Sequence, residues 1–240
     1  MTLRARIAVE WRALVRAVRS LDAMAVTVLL GSVVLVFVHV EIGSKRVFRD
    51  LVQPHLDIGV WGFDALGLMS WGWWFGWQGI LGFVVPVAVL MLVFKRKPSQ
   101  IGLGLGDWKL ATLLGGLYVP LVAIGTWVLS DTDAFLGKYP HFDPAAQRWD
   151  FFLIYHALFL FYWMGWEYLW RGFVLFGSAR ALGFYAIIAQ TVPFALLHID
   201  KPLAEAFLSI LGGVALGALV WRCRSFWIAV PLHSAQMLLL

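Results

Sequence analysis

Long stretches of this 240-residue chain carry no Asp, Glu, Lys or Arg: residues 23–40, 65–94, 110–130, 151–166 and 206–221 are each free of them. A helix that crosses a bilayer needs about 20 mostly apolar residues, and several of these runs approach or exceed that length. Hydrophobic residues make up 61% of the chain and charged residues 14%, against roughly 25% charged in soluble domains. So little polar surface cannot cover a water-soluble globule, which excludes a cytosolic enzyme, a disordered chain and a disulfide-stapled module. A transmembrane barrel would show alternating segments of about ten residues, and these runs are continuous. The expected fold class is all-α, a polytopic transmembrane helical bundle of about seven spans near 22–42, 74–94, 110–130, 151–176, 181–198, 203–221 and 225–240.

The flanks of these spans carry orientation. Net charge is +5, and the basic residues cluster at Arg4, Arg6, Arg12, Arg16 and Arg19 and at Lys95, Arg96 and Lys97. Clusters beside apolar spans serve the positive-inside rule rather than nucleic acid, so no nucleic-acid partner is expected. The N-terminus and 95–109 are expected in the cytoplasm, and the acidic stretch with Asp131, Asp133, Asp143 and Asp150 outside, in the cell membrane. Lys45, Arg46 and Arg49 break the pattern. Residues 1–20 read as a basic amphipathic stretch without a small-residue cleavage site, so the first span is expected to be uncleaved. Residues 43–73 mix charge with apolar residues, as an interfacial or partly inserted segment does. Trp71, Trp73, Trp74 and Trp77 read as headgroup anchors. Gly102, Gly104 and Gly106 lack the spacing and the preceding strand of a nucleotide loop. Cys223 reads as a lone loop thiol. Gly213 and Gly217 permit close helix packing within one chain.

Ionisable side chains inside an apolar span are expensive and mark function by default. Glu167 and Arg171 lie one helical turn apart and can pair. His198 closes one late apolar segment and His233 sits inside the last. One carboxylate and two imidazoles on separate helices suit two chemistries. One is a divalent metal held by His, His and Glu with an open position, so zinc stays open. The other needs no cofactor: the carboxylate takes a proton from water while a histidine orients it or stabilises the oxyanion. The His-Glu-x-x-His signature of a metalloprotease helix is absent. His39 and His156 lack such company.

The ordered set Glu167-Tyr-Leu-Trp-Arg171-Gly172, then Phe194-x-x-x-His198, then His233 resembles the CAAX-protease and bacteriocin-processing (CPBP, or Abi) family of multispan intramembrane endopeptidases. The resemblance covers roughly residues 150–240 and divides the chain into 1–149, N-terminal spans and loops, and 150–240, the protease-like core. It implies a membrane-anchored protein or peptide as substrate. It also implies a water-activating glutamate assisted by the first histidine, and oxyanion donors at the second histidine and a following asparagine. Two positions depart from the family pattern: Trp166 replaces the first of two glutamates, and Met237 replaces the asparagine. Adjacent helical residues point about 100° apart, so Glu167 needs a local turn near Arg171 and Gly172 to face the site, or Glu205 supplies the carboxylate instead. Ser234 or Gln236 would replace the missing amide donor. Under the seven-span count His198 lies nearer one membrane surface than Glu167 and His233. Pro193 or the shortness of 181–198 would have to bring it in. The alternative is a catalytically inactive scaffold or partner-binding protein that kept the fold. A transporter would show paired broken spans, which are not seen.

Overall fold

A computed structural model describes residues 2–139 and 141–238, and of 235–238 the backbone alone. Every regular element among the described residues is helical. Helix α1 (Leu3–Arg19) repeats Leu3, Ile7, Trp11, Leu14 and Val18 at helical spacing, and none of its residues is buried. This suits a basic amphipathic helix lying in a membrane surface.

The following helices begin on carboxylate caps, which satisfy orphan N–H groups at a helix start. Asp22 accepts from the Ala25 N–H at 3.0 Å to open α2 (Ala23–Glu41). Asp57 accepts from the Gly59 N–H at 2.8 Å to open α3 (Ile58–Val93). Asp107 accepts from the Leu110 N–H at 3.2 Å to open α4 (Trp108–Ser130). Helix α5 (Trp149–Glu167) runs through a π-helical stretch, Tyr168–Val174, into α6 (Leu175–Leu182). Then come α7 (Ala186–Leu196), α8 (Leu203–Cys223) and α9 (Ala229–Leu238).

Among the described residues five helical runs are long and apolar enough to cross a membrane: Ala23–His55, Ile58–Val93, Trp108–Ser130, Trp149–Leu196 and Leu203–Cys223. The chain is a multi-pass membrane protein. One of the seven expected spans, 181–198, contains a helix of only 11 residues. At 1.5 Å per residue it reaches about 16 Å, half of a hydrocarbon layer of about 30 Å. The second span starts at Ile58 rather than 74, because Asp57 is a cap and Asp64 sits at the helix end, 4.0 Å from Arg148.

Contacts between loops define two ends of the bundle. At the α1 end Arg180 pairs with Asp22 at 3.1 Å, and the Asp107 and Phe226 N–H groups donate to the carbonyls of Cys223 and Gly102. Gly106 has φ +56°, and a Cβ there would collide with the Cys223 carbonyl, so glycine is required. Cys223 itself is fully buried in α8, not in a loop. At the far end Tyr139 bonds Glu205, and Arg148 approaches Asp64. The α1 end (1–22, 94–109, 180–185, 222–228) carries twelve basic and three acidic residues; the far end (41–64, 131–150, 200–205) carries six and ten.

The core surrounds one stretch. Every residue from Glu167 to Ser178 is buried, so this part of the chain is ringed by other helices. Helices α3 and α5 touch backbone to backbone: a Cβ at Gly165 would run into the Gln78 carbonyl, and one at Gly82 into the Gly165 carbonyl. Helices α7 and α8 meet through Gly213, whose carbonyl accepts from Gln190 Nε2 at 2.9 Å, and through Gly217, where a Cβ would lie 2.6 Å from that same Nε2. Gly213 and Gly217 thus serve packing within the chain.

Candidate active site

The site is built where α5 turns π-helical. A π turn closes i→i+5 hydrogen bonds and is wider than an α turn, so residues four apart lie nearly above one another. A Cβ at Gly172 would strike the Tyr168 ring, so the side-chain-free position lets that ring fold back inside the widened turn. Glu167 stands at the start of this stretch and Arg171 within it, both fully buried. Arg171 Nη1 donates to Glu167 Oε1 at 3.2 Å. The contact uses one nitrogen, not a two-pronged fork; the guanidinium also lies over the Phe194 ring, 4.1 Å from its centre.

His233 arrives on helix α9. Its Nδ1 lies 2.6 Å from Glu167 Oε1. An ionised carboxylate only accepts, so Nδ1 carries the proton and Nε2 points onward. The His233 ring packs 4.0 Å from that of Trp163. Glu167 Oε2 is buried and unpartnered among the described residues, as is Ser234 Oγ beside His233. The side chain of Gln236 lies outside the described residues, as does that of Met237.

His198 follows the short helix α7, and its carbonyl accepts from the Lys201 N–H at 3.0 Å in the turn that leads to the far end. Its Nδ1 lies 2.8 Å from the Phe194 carbonyl. A carbonyl only accepts, so Nδ1 is the protonated nitrogen and Nε2 keeps its lone pair. The last turn of α7 is accounted for completely: the carbonyls of Pro193, Phe194, Ala195 and Leu196 accept from Leu197 N, His198 Nδ1, His198 N and Ile199 N. His198 is therefore a helix cap as well as a site residue.

The two imidazoles do not meet the same atoms. Glu167 faces His233 and Arg171. Trp166, about 100° around the helix, faces His198, with ring centres 6.1 Å apart. Phe194 is the common contact, its ring lying 5.8 Å from Trp166, 4.6 Å from His198 and 6.2 Å from His233. No hydrogen bond joins Glu167 to His198 among the described residues. Glu205 lies elsewhere, at the far end: both its oxygens accept from Tyr139 OH at 3.0 Å, and Lys201 Nζ is 3.6 Å away. No three His, Cys, Asp or Glu side chains converge on one metal position among the described residues. His156 Nδ1 bonds the Phe152 carbonyl of its own helix at 2.8 Å, and His39 packs on Trp74.

Residues 148–239 match the family model described as type II CAAX prenyl endopeptidase Rce1-like. The C-terminal part of this chain is similar to that family. No curated protein and no solved structure matches the chain. The matched segment contains Glu167, Arg171, His198 and His233, and the similarity supports a CAAX-type membrane protease kind of function. Sequence reading missed three neighbours of this segment: Trp163, which flanks His233; Tyr139, which ties down Glu205; and Gln78, buried against the Gly165 backbone with its Nε2 unpartnered. Only Gln78 carried a signal, as the lone amide in an otherwise apolar run.

Proposed function

We propose that the chain is an intramembrane endopeptidase that cleaves a membrane-anchored protein or peptide with glutamate-activated water. The observation that carries the reading is the Glu167 carboxylate: wholly buried, held at Oε1 by His233 and Arg171, and unpartnered at Oε2. Arg171 supplies the opposite charge to Glu167 Oε1 inside the bundle. Oε2 accepts the proton of the attacking water. His198 orients that water through its Nε2 lone pair, and His233 donates through its outer nitrogen to the oxyanion, with Ser234 as a second donor. In a water-poor site such fixed donors act more strongly than in solution. The protease core is 150–240, and 1–149 supplies supporting spans. The basic α1 end lies in the cytoplasm and the acidic end outside the cell membrane, following the positive-inside rule.

A second reading has one observation behind it. The Trp166 indole stands on the helix direction that faces His198, where the family pattern has a glutamate. An inactive scaffold accounts for that. The experiment is incubation of the purified protein with a library of membrane-anchored peptides, with and without chelator, and mass spectrometry of the products. Cleavage that survives chelation and falls about 10²–10⁴-fold in Glu167→Gln supports the protease. Loss on chelation with recovery on zinc replaces it with a metalloprotease. No cleavage of any peptide favours the scaffold.

A further inference from the structure

Away from the site, the far end carries basic residues that positive-inside counting leaves unexplained. Arg46 has a partner, Glu41, at 3.8 Å. Lys45 and Arg49 have no carboxylate within 4 Å among the described residues. Both line a crevice of about 280 Å³, together with Gln53, Ser70, Trp71 and Phe63. That volume is at the small end for ligand pockets and suits a headgroup rather than a whole lipid. The Lys45 ammonium sits 3.2 Å from the centre of the Trp71 ring, a cation–π contact that fixes its position. Ser70 is buried at the floor.

Two further lysines, Lys138 and Lys201, stand near Lys45, Lys201 being paired with Glu205. His141 lies against Trp71 and Tyr139. Burial, with the positive charges of Lys201, Lys138 and Lys45, pushes its imidazole down to about 4. Beside this cluster the surface is apolar and open: Leu51, Val60 and Phe63 are 66%, 72% and 81% exposed. Gly62, with φ +74°, breaks the first turns of α3 there. The crevice therefore lies where α2 leaves and α3 enters the apolar layer, at headgroup depth.

We infer that this crevice binds the phosphate of an anionic phospholipid, with Lys45 and Arg49 on the phosphate, Gln53 and Ser70 on its ester or glycerol oxygens, and the acyl chains along Phe63, Val60 and Leu51. A free phosphate would share the charge contacts but leave the apolar rim unused, which is why the lipid is the favoured source. The inference does not depend on the protease reading.

The test is lipid retention by native mass spectrometry on the detergent-solubilised full chain, titrated with phosphatidylglycerol, with phosphatidylcholine and with inorganic phosphate. A juxtamembrane cation contributes about fivefold in affinity for anionic lipid. Wild type should prefer phosphatidylglycerol, and Lys45→Gln/Arg49→Gln should weaken it roughly 25-fold. Arg46→Gln should stay within about twofold, since its partner is Glu41. Lys45→Arg/Arg49→Lys keeps the charge and should keep binding, which separates the effect from misfolding. Equal retention by the double Gln variant, or loss in the charge-keeping variant, overturns the site. Inorganic phosphate bound as tightly as the lipid overturns the lipid as its occupant.

Discussion

His233 and His198 arrive on separate helices, and the two sides of α5 receive them differently. His233 meets a carboxylate that is already paired with an arginine. His198 meets an indole and turns its own N–H back to cap its helix. The chemical charge of the site is thus gathered on one face, while the other offers a bare imidazole nitrogen beside an aromatic wall. Glu167 and its neighbour Trp166 thus face different histidines.

The largest effect should come from testing the two sides in a double-mutant cycle. His233→Ala and Glu167→Gln should each slow peptide cleavage by 10²–10⁴-fold, and the pair together by little more, because residues acting as one unit lose function together. His198→Ala combined with Glu167→Gln should behave the same way if both sides serve one water. Effects that multiply would break the proposed mechanism into two independent faces. Arg171→Met leaves a buried, uncompensated carboxylate and should cost about 3–5 kcal/mol of stability, read as the unfolding midpoint in detergent; Arg171→Met/Glu167→Met should recover most of it.

A sharper probe is Trp166→Glu in the Glu167→Gln background, with Trp166→Gln as the control for lost packing. A carboxylate facing His198 should restore activity by about tenfold, well short of a full general-base contribution, since a misplaced group forfeits much of its effect. Full recovery would move the catalytic face to the His198 side. The smallest effect belongs to the far end. Tyr139→Phe removes the hydroxyl that joins Glu205 to Lys201, and should lower stability by about 1 kcal/mol with cleavage rates nearly unchanged.

The sequence made the bundle and most of the site legible for one reason: charge inside an apolar run is costly, so Glu167, Arg171, His198 and His233 stood out. The stop of α7 was half legible: 181–198 is apolar enough to look like a span, and its shortness was the sign that it dips only partway. Pro193 lies inside α7, which ends a few residues later at Leu196. The π-helical stretch after Glu167 leaves no periodic mark in a run that is buried on all sides. The partner of Glu205 was invisible because Tyr139 lies 66 residues away in a loop with no pattern of its own. Trp166 and Met237 stood out in the sequence, but only the geometry shows that Trp166 packs near His198 while Glu167 meets His233.

The cap that His198 places on α7 has a consequence for proton traffic. The Phe194 carbonyl accepts the Nδ1 proton whether the ring is neutral or cationic, so the hydrogen bond survives both charge states. A proton can arrive at Nε2 and leave again without the ring rotating, without the helix end unwinding and without a carbonyl being stranded in the apolar layer. The imidazole has a single open port, and passage through it requires almost no rearrangement of its surroundings.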